Sequence, residues 1–100
     1  MKKLKTIKQK ARVNQLISQS SGNPVSNQFE ILTDKGYFFQ SYGSIIYFNC
    51  YKTGNKYLDF NTWDYSRTTG KYRNQVLNEG IAETRKKIKE GVYILAHLND

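Results

Sequence analysis

Trp63-Asp64-Tyr65-Ser66-Arg67-Thr68-Thr69-Gly70-Lys71-Tyr72-Arg73-Asn74 is the stretch that divides this sequence into two halves of different character. Short aromatic runs with strand periodicity precede it, and basic amphipathic segments with helical periodicity follow it. The stretch itself combines aromatic residues, cations and hydroxyl side chains just before a predicted helix start. Strands followed by helices within 100 residues predict one domain of the α+β class.

The half before this stretch predicts an antiparallel meander of four strands. Turn sequences at 33–36, 42–44 and 52–55 separate four runs rich in aromatic and β-branched residues, at 28–31, 37–41, 45–51 and 56–60. In the first turn, Gly36 is expected to supply a positive φ. The run 45–51 is apolar on both faces, which predicts a central strand covered on both sides, with Ile46 and Phe48 buried.

The half after the stretch predicts two short helices and a closing strand. The first helix is expected at 71–79, with Thr68 or Thr69 as its N-cap and Gly80 just past its end. The second is expected at 81–90, ended by Gly91, and the β-branched run 92–96 predicts a last strand that joins the sheet. The predicted fold is α+β: an antiparallel meander of four to five strands, two short C-terminal helices and a basic N-terminal helix or arm.

The N-terminal helix or arm is assigned to residues 1–22, and the folded domain to residues 23–100. Residues 1–20 carry six cations and no carboxylate. Their apolar side chains lie on opposite sides of a helix, since Leu4, Ile7 and Ala11 cluster away from Val13, Leu16 and Ile17. This segment is therefore expected to be only partly docked.

The composition fits two alternatives, a polyanionic partner inside a cell or a lysine-rich surface that keeps the protein soluble. The net charge is +8, and basic segments flank a middle region that is nearly neutral. Cys50 is the single cysteine, so no disulfide can form within the chain, which fits a reducing cytoplasm. The sequence contains no apolar run long enough for a membrane span, and no apolar segment typical of a secretory signal follows its basic start.

The predicted site is a nucleic-acid interface at the start of the first helix. Cations, hydroxyls and free helix-start N–H groups together favour a phosphate. The predicted contacts are Arg67, Thr68, Thr69, Lys71 and Arg73, with further cations at Lys3, Lys5, Lys8, Arg12, Lys86 and Lys87. The structural alternative is that Arg67 pairs with Asp64, that the threonines are caps, and that Trp63 and Tyr72 belong to the core.

Catalytic and metal chemistry have little support in the sequence. One histidine and one cysteine are too few for a structural zinc site, and no phosphate-binding or dinucleotide motif is present. A metal-dependent nuclease would need Asp59, Asp64 and Glu79 to converge, and a nucleophilic mechanism would need Cys50 to meet the sole histidine, His97. The sequence therefore predicts a protein that is not an enzyme and uses no metal or cofactor.

Several strings in the chain resemble a family of small proteins of unknown function carried by phages and plasmids of low-GC Gram-positive bacteria. The resemblance covers about residues 29–98 and rests on 37–42, 44–46, 57–59, 63–74 and 83–88. It implies a mobile-element origin and a cytoplasmic location, without a mechanism. We therefore expect either nucleic-acid binding through phosphate contacts or inhibition of a host enzyme, such as a defence nuclease, in the manner of an anti-CRISPR protein.

Overall fold

The computed structural model describes residues 3–6 and 10–100. Within these residues the chain forms six strands and two helices: β1 (Ala11–Ile17), β2 (Pro24–Thr33), β3 (Gly36–Ser41), β4 (Ser44–Cys50), β5 (Lys56–Asp59), α1 (Arg67–Leu77), α2 (Ile81–Lys89) and β6 (Tyr93–Ala96). The α+β class and the two helices near the C-terminus are as predicted. The strand count exceeds the predicted four to five.

The strands form a single sheet in the order β1-β2-β3-β4-β5-β6. β1 to β5 are an antiparallel meander, because each is joined to the next by a short turn or loop. β6 pairs with β5 in parallel, because both helices lie in the connection between them and carry the chain back to the starting end. The sheet is therefore mostly antiparallel with one parallel edge.

The additional strand is β1, which lies within the segment predicted to be a helix or arm. Ala11 and Val13 alternate with the polar Arg12 and Asn14, as in a strand, and these residues pair with β2. Leu16 is buried in the core, and a register shift between Gln15 and Ile17 accompanies its inward position. Lys3 to Thr6 are exposed.

Both helices pack on one face of the sheet. The core on this face contains Phe39, Ile46, Tyr47 and Leu58 from the strands and Tyr72 from α1. β4 has a bulge opposite Phe39 and Gln40 of β3. Because of this bulge, two consecutive residues, Ile46 and Tyr47, are both buried. We call the face on which the helices pack the covered face.

The opposite face carries one apolar residue from every strand. Successive register pairs align Val13, Ile31, Phe38, Phe48, Tyr57 and Ile94 in one row across the sheet. We call these six residues the open row, because none belongs to the buried core and all are partly or largely exposed. The expectation that β4 is covered on both sides is wrong: Ile46 is buried, whereas Phe48 is only half-buried.

Glycine roles also differ from the expected ones at two turns. Gly36 does not have a positive φ. Instead, a Cβ there would overlap the carbonyl oxygen of Asn49 and the ring of Phe48, so a side chain is excluded by close packing between β3 and β4. α1 ends at Asn78, which takes the left-handed conformation, and Gly80 is the N-cap of α2. Gly91 has φ +80° after α2, as its predicted terminating role requires.

Candidate functional site

An open groove lies between the start of α1 and the first residues of α2. Its lining includes Ser66, Arg67, Lys71 and Asn74 from the α1 side, and Ile81 and Arg85 from α2. The N-cap of α1 is Ser66, not Thr68 or Thr69: its backbone is extended, and its Oγ accepts a hydrogen bond from the Thr69 N–H at 3.1 Å. α1 consequently begins at Arg67, four residues earlier than predicted, and the groove lies beside its first two turns.

Two accessible cations project from α1 beside this groove. Arg67 and Lys71 are one helical turn apart, so their side chains lie on the same face of the helix, and both are exposed. Neither forms an ion pair with another residue in the part of the chain that the structure describes. The Lys71 ammonium lies 5.4 Å from the ring centroid of Tyr72, which directs its stem along the helix surface.

Arg73, the third predicted cation of the stretch, is buried and structural. Its Nη1 donates to the carbonyl oxygen of Trp63 at 2.7 Å and to Asp64 Oδ1 at 3.1 Å, and its Nη2 donates to Asn74 Oδ1 at 3.0 Å. The guanidinium also lies 5.3 Å from the centroid of the Trp63 ring. The structure thus corrects the assignment of Arg73 as a phosphate contact, because its donors hold the loop before α1.

The two threonines of the stretch also separate. Thr69 is fully buried, and its hydroxyl is 2.7 Å from Ser41 Oγ, so it joins α1 to β3. It is therefore unable to contact a phosphate at the surface, contrary to the prediction. Thr68 is exposed, as a surface contact requires.

Arg85 is a member of the groove that the sequence prediction omitted. Its side chain is 65% exposed and its Nη2 lies 3.3 Å from Asp64 Oδ2. Asp64 therefore receives a guanidinium on each carboxylate oxygen, from Arg73 and from Arg85, and its charge is compensated. The groove keeps an excess of positive charge. A sequence signal for Arg85 was its place four residues after Ile81, which puts both on one face of α2.

The remaining predicted cations have different environments. Lys86 and Arg12 are exposed, on α2 and β1, and Lys3 and Lys5 are exposed ahead of β1. Lys8 lies outside the described residues.

Lys87 contacts a buried carboxylate instead of a surface ligand. Its ammonium is 2.6 Å from Glu79 Oε1, and Glu79 also accepts from the Thr84 hydroxyl at 2.6 Å and the Tyr93 hydroxyl at 3.0 Å. Burial by itself raises the pKa of Glu79, but these hydrogen bonds outweigh it and hold the pKa below its ordinary value. The structure thus corrects the assignment of Lys87 to the interface, because the Lys87 ammonium neutralises the Glu79 carboxylate.

The residues considered for catalysis lie in separate parts of the fold. Asp59 accepts hydrogen bonds from the Thr62 hydroxyl at 2.7 Å and the Leu98 N–H at 2.8 Å, far along the chain from the Glu79 cluster. Cys50 ends β4, whereas His97 lies near the segment that bonds Ile45 at the beginning of β4. Over the described ranges, no group of three or more His, Cys, Asp or Glu side chains could hold a metal ion.

No helix among residues 3–6 and 10–100 has the length and apolar character needed to cross a bilayer.

Comparison with known proteins places the chain in one family. No curated protein and no solved structure matches it. A family model matches residues 11–91, beginning at the first residue of β1 and ending just after α2. It therefore includes the segment 11–22 that the sequence analysis assigned to an N-terminal arm and placed outside the resemblance. The chain belongs to a family of unknown function, DUF8033.

Proposed function

We propose that this protein binds nucleic acid through phosphate contacts in the groove between α1 and α2, as a non-enzymatic accessory protein of a phage or plasmid in the bacterial cytoplasm. The observation that carries the proposal is the convergence of Arg67, Lys71 and Arg85 from two helices on one groove. Among the described residues, one carboxylate lines that groove, and this carboxylate, Asp64, is already bonded by two guanidinium groups.

The chemistry of these side chains suits a phosphodiester backbone. Guanidinium groups donate in a planar fork that matches two phosphate oxygens, and an ammonium provides a compact charge. Most of the interaction would be with the backbone, so we expect low sequence specificity and a steep dependence on salt. Arg12, Lys3, Lys5 and Lys86 add positive charge elsewhere on the surface, which favours association at long range.

Arg73 supports this groove without contacting the ligand. By bonding Asp64 and the carbonyl oxygen of Trp63, it fixes the loop from which α1 starts. The cations on the first turns of α1 are therefore held at a defined distance from Arg85. This arrangement reduces the conformational freedom lost on binding.

The test is fluorescence polarisation with short labelled duplex DNA, single-stranded DNA and RNA at several salt concentrations. Replacing Arg67, Lys71 and Arg85 together with Ala should weaken binding and lower the salt slope on duplex DNA by about three, since each phosphate contact contributes about one. The matched control replaces Lys35, Lys52 and Lys56 with Ala. It removes the same charge from exposed positions in two turns and at the first residue of β5, so the slope should change much less.

Failure of the wild type to bind any of the three probes at low salt would overturn the proposal. The alternative predicted from the sequence, an inhibitor of a host enzyme such as a defence nuclease, would then take its place. A packed protein interface depends only weakly on salt, so a host protein retained at high salt and after nuclease treatment would identify that alternative.

A further inference from the structure

The open row is part of a wide uncharged surface on a strongly basic protein. The row itself contains no charged side chain, and neither does the next aligned set on β1 to β4, Gln15, Phe29, Gln40 and Ile45. The corresponding residue of β5 is Asp59, which is only 2% exposed and is bonded to Thr62 and Leu98. Val13 and Ile94 at its two ends are 62% and 40% exposed. An apolar surface that crosses all six strands is larger than the scattered exposed apolar residues of an ordinary monomer, and such surfaces are typical of interaction sites.

The geometry of the rings argues against nucleobases as the occupant. The Phe38 and Phe48 rings are stacked with centroids 4.4 Å apart and an interplanar angle of 15°, and the Phe48 and Tyr57 rings are 6.0 Å apart at the same angle. The faces of these rings are therefore turned toward one another. Because base stacking requires free aromatic faces, this surface suits packing against apolar side chains of a protein.

We propose that a second copy of this chain covers the open row, so that two sheets pack face to face in a symmetric dimer. A twofold interface brings each patch against itself, so it must be self-complementary. With a net charge of +8, two copies repel one another over most of their surfaces. The open row itself brings no like charges together, and it gains from burial of apolar area.

The length of the open row is close to the width of a stable dimer interface. Six strands about 4.8 Å apart make the row about 24 Å long, and a patch of about 800 Å², the usual share of each partner, is about 28 Å across. Sheets that pack in this way lie about 10 Å apart with interdigitating side chains. Because α1 and α2 lie on the covered face, both grooves would remain on the outside of the dimer. The inference does not depend on nucleic-acid binding.

The test is sedimentation velocity of the full chain over a range of protein concentrations, with two variants at neighbouring positions of β6. Ile94→Glu places a carboxylate in the open row, whereas Leu95→Glu places one on the other side of the same strand, at a residue of similar exposure (37% against 40%). We expect the wild type and Leu95→Glu to be dimers at micromolar concentration. Ile94→Glu should raise the dimer dissociation constant by at least about tenfold, because it places a carboxylate in an apolar interface.

Thermal melts of each variant check the fold, and Val13→Glu at the opposite edge provides a second disruption if Ile94→Glu does not fold. A wild type that stays monomeric up to hundreds of micromolar would overturn the proposal and leave the open row to a different protein. Equal dissociation of the dimer by Ile94→Glu and Leu95→Glu would also overturn it, since the interface would then lie elsewhere.

Discussion

The two faces of the sheet are built from similar residues but have different environments. The covered face contains polar side chains that bond the helices: Ser41 contacts Thr69 of α1, and Tyr93 donates to Glu79 in the segment before α2. The open row consists of apolar and aromatic side chains, and three of them, Phe38, Phe48 and Tyr57, are stacked across neighbouring strands. Apolar alternation identifies a strand, whereas the polar contacts to Thr69 and Glu79 distinguish the face on which the helices pack.

Gln28 departs from this rule on the covered face. It is fully buried, and neither its amide oxygen nor its amide nitrogen has a partner among the described residues. A buried amide without partners costs free energy, so Gln28 is a position where an apolar residue of similar size would be tolerated.

Removal of β1 should give the largest effect, because this strand contributes to both faces of the sheet. Removing residues 1–20 takes away Leu16 from the covered face and Val13 from the open row, and it leaves β2 as an unpaired edge. Loss of one core leucine alone costs about 2–5 kcal/mol, a large share of the stability of a small domain. We therefore expect no cooperative unfolding in circular-dichroism melts of this truncation.

Removing only residues 1–9 is the matched control, and should shift the melting temperature by no more than a few degrees. A cooperative transition in the chain that lacks residues 1–20 would contradict this assignment. It would mean that β1 is a dispensable arm.

The second prediction compares one phenylalanine on each face. Phe39→Ala should destabilise the protein by about 3–5 kcal/mol, because its ring is fully buried on the covered face. Phe48→Ala should cost about 1–2 kcal/mol at low protein concentration, because its ring is half-buried and mainly loses stacking with Phe38 and Tyr57. Urea unfolding measures both. Equal losses would show that the open row is covered within a single chain.

The third prediction separates a buried cation from an exposed one in the same stretch. Arg73→Met should cost about 2–3 kcal/mol, since it removes the hydrogen bond to the charged Asp64 and leaves the Trp63 carbonyl without its donor. Arg67→Met should change the free energy of unfolding by less than about 0.5 kcal/mol, because Arg67 is exposed on α1. If the two variants are equally stable, Arg73 is not the residue that holds the groove.

The smallest expected effect is the contribution of Glu79 to the loss of folding stability in acid. A carboxyl whose folded-state pKa is lowered stabilises the protein above its ordinary pKa, and this contribution is lost as the pH falls through the lowered value. Wild type should therefore lose more stability between neutral and acidic pH than Glu79→Gln, which lacks the titrating group. Urea titrations at several pH values measure the difference.

Glu90→Gln, at an exposed position just after α2, is the control and should follow the wild type. If Glu79→Gln and the wild type lose the same stability at low pH, Glu79 does not contribute to the acid sensitivity. The hydrogen bonds to Asp59, whose pKa is also held low against the effect of burial, would then account for it.

The α+β class, the turns, the two helices and the closing strand were predictable from the sequence. Each depends on a local signal, such as strand alternation before residue 60, helical spacing after residue 70, or Gly91 in its left-handed conformation. The position of the candidate site was predictable for the same reason, because a helix start rich in cations and hydroxyls is itself a local pattern. Arg67, Lys71 and Thr68 are exposed there as expected.

Only the tertiary structure decided the rest. Whether residues 11–17 form a strand depends on the availability of the β2 edge, and whether Arg73 is buried depends on the return of the Trp63–Asp64 loop against α1. The contribution of Arg85 to the groove requires α2 to pack beside the start of α1. These features depend on contacts between residues distant in the chain. The free energies of these contacts exceed the local conformational preferences from which a sequence pattern is interpreted.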